Sequence, residues 1–112
     1  MPVMTDRRTV AANATVDNVL AGKLDEFLRE NSIVTLYAAA EAVGVNLSLL
    51  VGNEVAFDDQ EIGNKAAGVA LVVPDDFLVT AGGLAGDRMV LRLRNTTVGP
   101  IIVRTRMETT PA

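Results

Sequence analysis

"VNLSLLVGNEVAF", residues 45–57, reads as a β-hairpin. Val45, Leu47, Leu49 and Val51 alternate with Asn46 and Ser48. A period of two places one set on a buried sheet face and the other toward solvent. Gly52-Asn53 supplies a hairpin turn, and Val55 and Phe57 continue the apolar set on one face. The same period recurs near the C-terminus. Met89, Leu91 and Leu93 oppose Arg88, Arg92 and Arg94; Ile101, Val103, Thr105 and Met107 oppose Ile102, Arg104, Arg106 and Glu108. Half-buried antiparallel strands carry this pattern, and "NTTVGP" joins the two segments.

Working outward, "IVTLYAAAEA" suits a strand ending before Gly44. "DDQEIGNKAAG", 58–68, reads as a polar loop. "VALVV", 69–73, reads as a buried strand ended by Pro74, and "PDDFLVT" as a turn followed by a short strand. Short strands at regular spacing predict an all-β fold, a small β-sandwich or jelly-roll-like domain over 15–112. Residues 1–14 read as a short extended N-terminal arm bearing Arg7 and Arg8, either mobile or ordered against a neighbour. Residues 15–31 are ambiguous. Val16, Val19, Leu20, Leu24, Phe27 and Leu28 recur at three and four, the stripe of a helix. Gly22 interrupts it at about 1 kcal/mol relative to Ala. An α+β fold with a helix at 16–30 is the alternative.

Composition removes most chemistry. The 112 residues contain no cysteine and no histidine. Disulfides, thiolate nucleophiles and the commonest general base are therefore absent. With no tryptophan and one tyrosine, Tyr37, stacking platforms for single-stranded nucleic acid cannot be built. No apolar run approaches the ~20 residues that span a bilayer, and the N-terminus lacks the apolar stretch of a secretory signal. The expectation is a soluble chain made in the cytoplasm, with no catalytic residue, no metal and no cofactor.

Two motifs reduce to structure. "GGLAGD", 82–87, lacks the Lys-Ser/Thr pair and following helix of a phosphate-binding loop. Asp58-Asp59-Gln60-Glu61 and Asp75-Asp76 lack the spacing of a calcium loop and read as solvated turns. Neither has the aromatics that a glycosidase pair would need beside it.

The arginines remain. Residues 1–87 carry five cationic and thirteen anionic side chains, net −8; residues 88–112 carry five arginines against Glu108, net +4. Arg92, Arg94, Arg104 and Arg106 would line one face of a two-stranded unit if their strands pair. Three readings stand: a solvated face, a face docking on carboxylates of its own body or a neighbour, and a nucleic-acid surface. The sequence pI near 4.6 places the last of these third. A protein interface at Arg92, Arg94, Arg104, Arg106, Arg7 and Arg8 is the functional expectation.

The ordered set "TVDNVLAGKLDEFL", "GVNLSLLVGNEV", "VPDDFLV" and "AGDRMVLRLRNTT", with the closing strand, resembles small virion structural proteins of tailed bacteriophages, of the head decoration or capsid cement type. It runs from about Thr15 to Met107 and leaves out the arm. The resemblance implies an all-β fold, with residues 15–31 extended. It also implies a non-enzymatic role, the major capsid protein as partner, location in the virion, and dimers or trimers on the shell. Another phage head or tail component and a small bacterial β-sandwich binding module are the alternatives.

Overall fold

The chain folds back on itself as one long antiparallel ribbon and then rolls up. In the computed structural model, which describes residues 3–22, 26–72 and 76–112, β1 (Val3–Val10) pairs with β8 (Ile101–Pro111) and β2 (Thr15–Val16) with β7 (Met89–Asn95). Likewise β3 (Ser32–Ala40) pairs with β6 (Phe77–Gly83), and β4 (Val45–Val51) with β5 (Glu54–Glu61). Rolling the ribbon adds β3 to β8 and β4 to β7. The result is two four-stranded sheets, β1-β8-β3-β6 and β2-β7-β4-β5. This is the winding of a jelly roll, and the fold is the all-β sandwich expected.

The predicted hairpin is the tip of the ribbon. Gly52 adopts the left-handed conformation, φ 61°, at its turn. Past the turn the pairing shifts, so Val55 partners Leu50 while Phe57 partners Leu49. Val55 and Phe57 therefore face opposite ways, against the expectation of a shared face. Val55 is exposed, and Phe57 packs on the core.

The core forms where inward rows of the two sheets meet. Val34, Leu36, Ala38, Val103 and Met107 come from the first sheet; Val45, Leu47, Leu49, Met89, Leu91 and Leu93 come from the second. Each fully buried Leu or Val contributes roughly 1.5–3 kcal/mol over exposure. All the inward positions read from alternation in 89–93 and 101–107 are buried.

Four segments differ from expectation. First, no helix is present among the described residues, so the alternative at 16–30 falls. Val19, Leu20 and Leu28 are buried as the stripe implies, but the described backbone on either side of residues 23–25 is bonded to the β7 strand and its flank. Val19 N–H donates to Leu91 O, Leu28 N–H to Asp87 O and Met89 N–H to Glu26 O. The Asn18 amide takes the place of a strand partner: its oxygen accepts from the Leu20 and Leu91 N–H groups, and its nitrogen donates to Met89 O. Gly22, at φ 76°, bends the chain as no helix would. Leu24 of the stripe lies outside the described residues.

Second, residues 58–61 belong to β5, not to a loop. Third, residues 69–72 form no strand, and Val69 and Val72 are exposed. Their neighbourhood is fixed by other bonds. Ala40 N–H donates to Gly63 O, Lys65 N–H to Ala40 O and Val69 N–H to Ala66 O. Lys65 Nζ holds Asp76 at 2.8 Å. The end of the predicted strand at Val73, Pro74, and Asp75 of the second acidic cluster lie outside the described residues.

Fourth, residues 3–10 of the arm are β1, bonded along their length to β8 within the sandwich.

Candidate interaction surfaces

β7 and β8 do not pair. They sit in different sheets, and the five-residue link "TTVGP", 96–100, crosses from one sheet to the other. The two-stranded arginine unit is therefore a correction: Arg92 and Arg94 lie on the outer face of the second sheet, Arg104 and Arg106 on the outer face of the first.

The crossing is held by Asn95, which is 1% exposed. Its amide nitrogen donates to Val10 O at 3.1 Å and Gly99 O at 2.8 Å. Its oxygen accepts from Thr97 N–H at 2.9 Å and Thr97 Oγ1 at 2.8 Å. Both donors and both lone pairs are used. The link is thereby turned toward the end of β1, and β8 continues beside β1 instead of beside β7.

On the first sheet, Arg7 stands directly opposite Arg104 in the β1–β8 ladder, and Arg106 is opposite Thr5 on one side and Tyr37 on the other. Like charges opposed across strands repel unless carboxylates intervene. Arg104 Nη1 donates to Glu41 Oε2 at 2.5 Å, with both side chains less than one-fifth exposed. Glu41 also accepts from Gly68 N–H at 3.3 Å. The Arg104 bond first, then the Gly68 bond, hold the Glu41 carboxyl below its usual range. Arg106 pairs along its own strand with Glu108 at 2.8 Å. Arg7 makes no ion pair among the described residues and reaches Glu41 only through longer-range attraction. Thr5, Arg7, Leu71, Arg104 and Arg106 line a shallow hollow of about 280 Å³. Three guanidinium groups thus share two carboxylates.

Arg8 does not join this set. It sits on the other side of β1, where Asp6 receives its Nε at 2.6 Å and its Nη2 at 3.2 Å.

On the second sheet, Arg94 reaches over β4 to Asp59 on β5. Nε meets Oδ1 at 3.2 Å and Nη2 meets Oδ2 at 2.7 Å. The two-pronged contact lowers the Asp59 pKa and raises that of Arg94. Asp59 occupies the left-handed region, φ 45°, unusual for a residue with a Cβ. Ser48 Oγ accepts its N–H at 3.0 Å, and Asn46 Nδ2 donates to its carbonyl at 3.1 Å. Arg92 makes no ion pair among the described residues; with Asp17, Asp58, Asp59 and Arg94 it borders a hollow of about 480 Å³.

Sequence reasoning found the arginines and missed what orients them. Glu41 carried no local signal, and Asp59 was visible only as part of an acidic cluster read as a solvated turn, because each is brought to its arginine from a distant strand end or bulge. Asn46 and Ser48, the polar positions in an otherwise apolar strand, were the one visible mark of this face. Among the described residues no group of Asp and Glu is placed to hold a metal ion. No helix among them is long and apolar enough to cross a membrane. The arrangement offers guanidinium groups to carboxylates and flat sheet to flat surface. No family model, curated protein or solved structure matches the chain.

Proposed function

We propose that this chain is a non-enzymatic structural protein of a bacteriophage virion, which binds the capsid shell as a decoration or cement protein through protein–protein contacts. The observation that carries the reading is the outer face of the first sheet. There Arg7, Arg104 and Arg106 converge with only Glu41 and Glu108 to balance them. A rigid sheet presenting a surplus guanidinium suits an acidic patch on the major capsid protein, since arginine's flat fork pairs with carboxylates and is weakly hydrated. Jelly rolls occur in viral capsid proteins and in lectins alike, so the winding is compatible with the role by analogy of fold alone. The sequence resemblance supplies the identity of the partner.

The test is co-sedimentation of the purified chain with shells of the phage that encodes it, prepared without the chain. Saturable binding at a fixed number of copies per capsomer, weakened by Arg7→Glu with Arg106→Glu, supports the reading. Shells that never retain the chain overturn it.

A second reading rests on the open groove of about 610 Å³ at one end of the sandwich, lined by Asn31, Ser32, Ile33, Asn53, Glu54 and Asp87 among others. Amide and carboxylate side chains around a groove suit a polar ligand and favour a small bacterial binding module. Binding of a glycan or peptide, with no affinity for shells, would select it.

A further inference from the structure

We infer that the outer face of the second sheet is the contact surface of a symmetric dimer, with the two-fold axis running along β4 and a second copy of this chain as occupant. The inference is independent of the capsid reading, which uses the opposite face.

The face carries an apolar row. Val55, Leu50 and Val90 stand in register across β5, β4 and β7. Val55 is 55% exposed, and Phe27, bridged to Arg88 beyond β7, is 53% exposed. An apolar row rimmed by charge on a sheet face is the usual mark of a protein contact.

The charges beside that row are sorted by strand. Arg92 and Arg94 stand on β7; Asp58, Asp59 and Glu61 stand on β5; between them β4 presents uncharged Asn46, Ser48 and Leu50. The backbones of β7 and β5 are two strand spacings apart, ~9.6 Å, and among the described residues only the Arg94–Asp59 pair closes that distance within the chain.

Two copies meeting face to face by a two-fold rotation have their axis in the plane of contact, and the charge columns choose its direction. An axis perpendicular to the strands would lay β7 on the other copy's β7, arginine on arginine. An axis along β4 lays β7 of each copy on β5 of the other. Arg92, which makes no ion pair within its own chain among the described residues, then meets Asp58 of the other copy, while Arg94 keeps Asp59 of its own chain. The apolar row meets itself, with Leu50 on Leu50 and Val90 on Val55. Such a contact is self-complementary, as an isologous interface must be. Three strands, β7, β4 and β5, by seven residues give an overlapping face of roughly 14 by 24 Å. That is smaller than the ~800 Å² each partner buries in a standard interface, so the dimer dissociates on dilution.

The experiment is sedimentation velocity on the full chain from about 1 to 200 µM. Wild type is expected to dimerise. Arg92→Asp and Asp58→Arg are each expected to weaken the dimer by at least about tenfold. An equimolar mixture of the two variants is expected to restore it, because each charge reversal then faces its complement on the other copy. A charge pair confined within one chain could not be rescued by mixing. Because the chain is free of cysteine, Leu50→Cys gives a second reading. It should cross-link to itself under mild oxidation, whereas Thr35→Cys on the opposite outer face should not. A wild type that stays monomeric throughout, or a mixture no more associated than its components, overturns the inference, and neither result bears on shell binding.

Discussion

Arg94 and Asp59 grip each other across a strand that belongs to neither, with β4 lying between their own strands β7 and β5. The pair ties the edge strand of the second sheet to its centre at the point where β5 is irregular. Asp59 sits at positive φ, which asparagine accepts more readily than alanine. Asp59→Asn is therefore expected to lower the melting temperature slightly, through loss of the ion pair. Asp59→Ala is expected to lower it by a few degrees more, through backbone strain added to that loss. Calorimetry on the two variants checks the order, and equal melting would mean that the left-handed turn is unstrained.

The pH dependence follows from four carboxyls. Glu26 is lowered by the Gly22 N–H and then by Arg88, Glu41 by Arg104, and Asp59 by Arg94. Burial pushes Asp76 up, but Lys65 and the Val72 N–H outweigh it and bring it down. A carboxyl whose folded value lies below its unfolded one stabilises the fold above the unfolded value. That stability is lost as pH falls through the folded one. Their ordinary values are 4.5 for Glu and 3.8 for Asp. Melting should therefore hold level above these and drop steadily below. Glu41→Gln should melt lower than wild type at neutral pH and converge with it in acid; parallel curves would exclude Glu41 as a contributor.

Asn95 is expected to be the most sensitive polar position. Asn95→Ala leaves Val10 O without the side-chain donor that reaches it from inside the fold, and leaving a buried polar group unsatisfied costs ~1–3 kcal/mol. Urea unfolding should show a loss of about 2–4 kcal/mol, since several of the four bonds fail together. Asn95→Asp should be nearly as damaging, because a carboxylate keeps the acceptors and loses both donors.

In the core, Leu47 and Leu93 are opposed in register, and neither has exposed surface. Leu47→Ala should cost ~2–5 kcal/mol, because the surrounding sheets cannot fully close the space. Guanidinium unfolding measures this directly. A loss below 1 kcal/mol, the range of ordinary surface changes, would mean that this layer is loosely packed.

At Gly44, φ is 109° and an added Cβ would run into Thr97 Cγ2. Thr96 N–H and Oγ1 both bond Gly44 O, at 2.9 and 2.7 Å. Gly44→Ala is expected to cost ~1–3 kcal/mol in backbone strain alone. A variant as stable as wild type in thermal melts would show that the two links can part without penalty.

What the sequence by itself determined is the side of each strand that meets the core. Alternation in 45–51, 88–94 and 101–108 is a local property, and a one-residue slip would turn every leucine outward. So the inward rows, the 52–53 turn and the all-β class were legible. The arginines were legible too, as outward positions on their strands. Which strand lies beside which was not. A period of two is the same whether the next strand pairs with its neighbour or crosses to the other sheet. The link after Asn95 is long enough for either, and only contacts with β1, 85 residues away in sequence, select the crossing. The same holds for 15–31, where the apolar residues described on either side of 23–25 are buried without a helix, because Asn18 and Leu28 bond the β7 strand and its flank. Burial is written into the order of residues; adjacency depends on bonds between residues far apart in the chain, and the tertiary structure alone decided that Arg92 and Arg94 look away from Arg104 and Arg106.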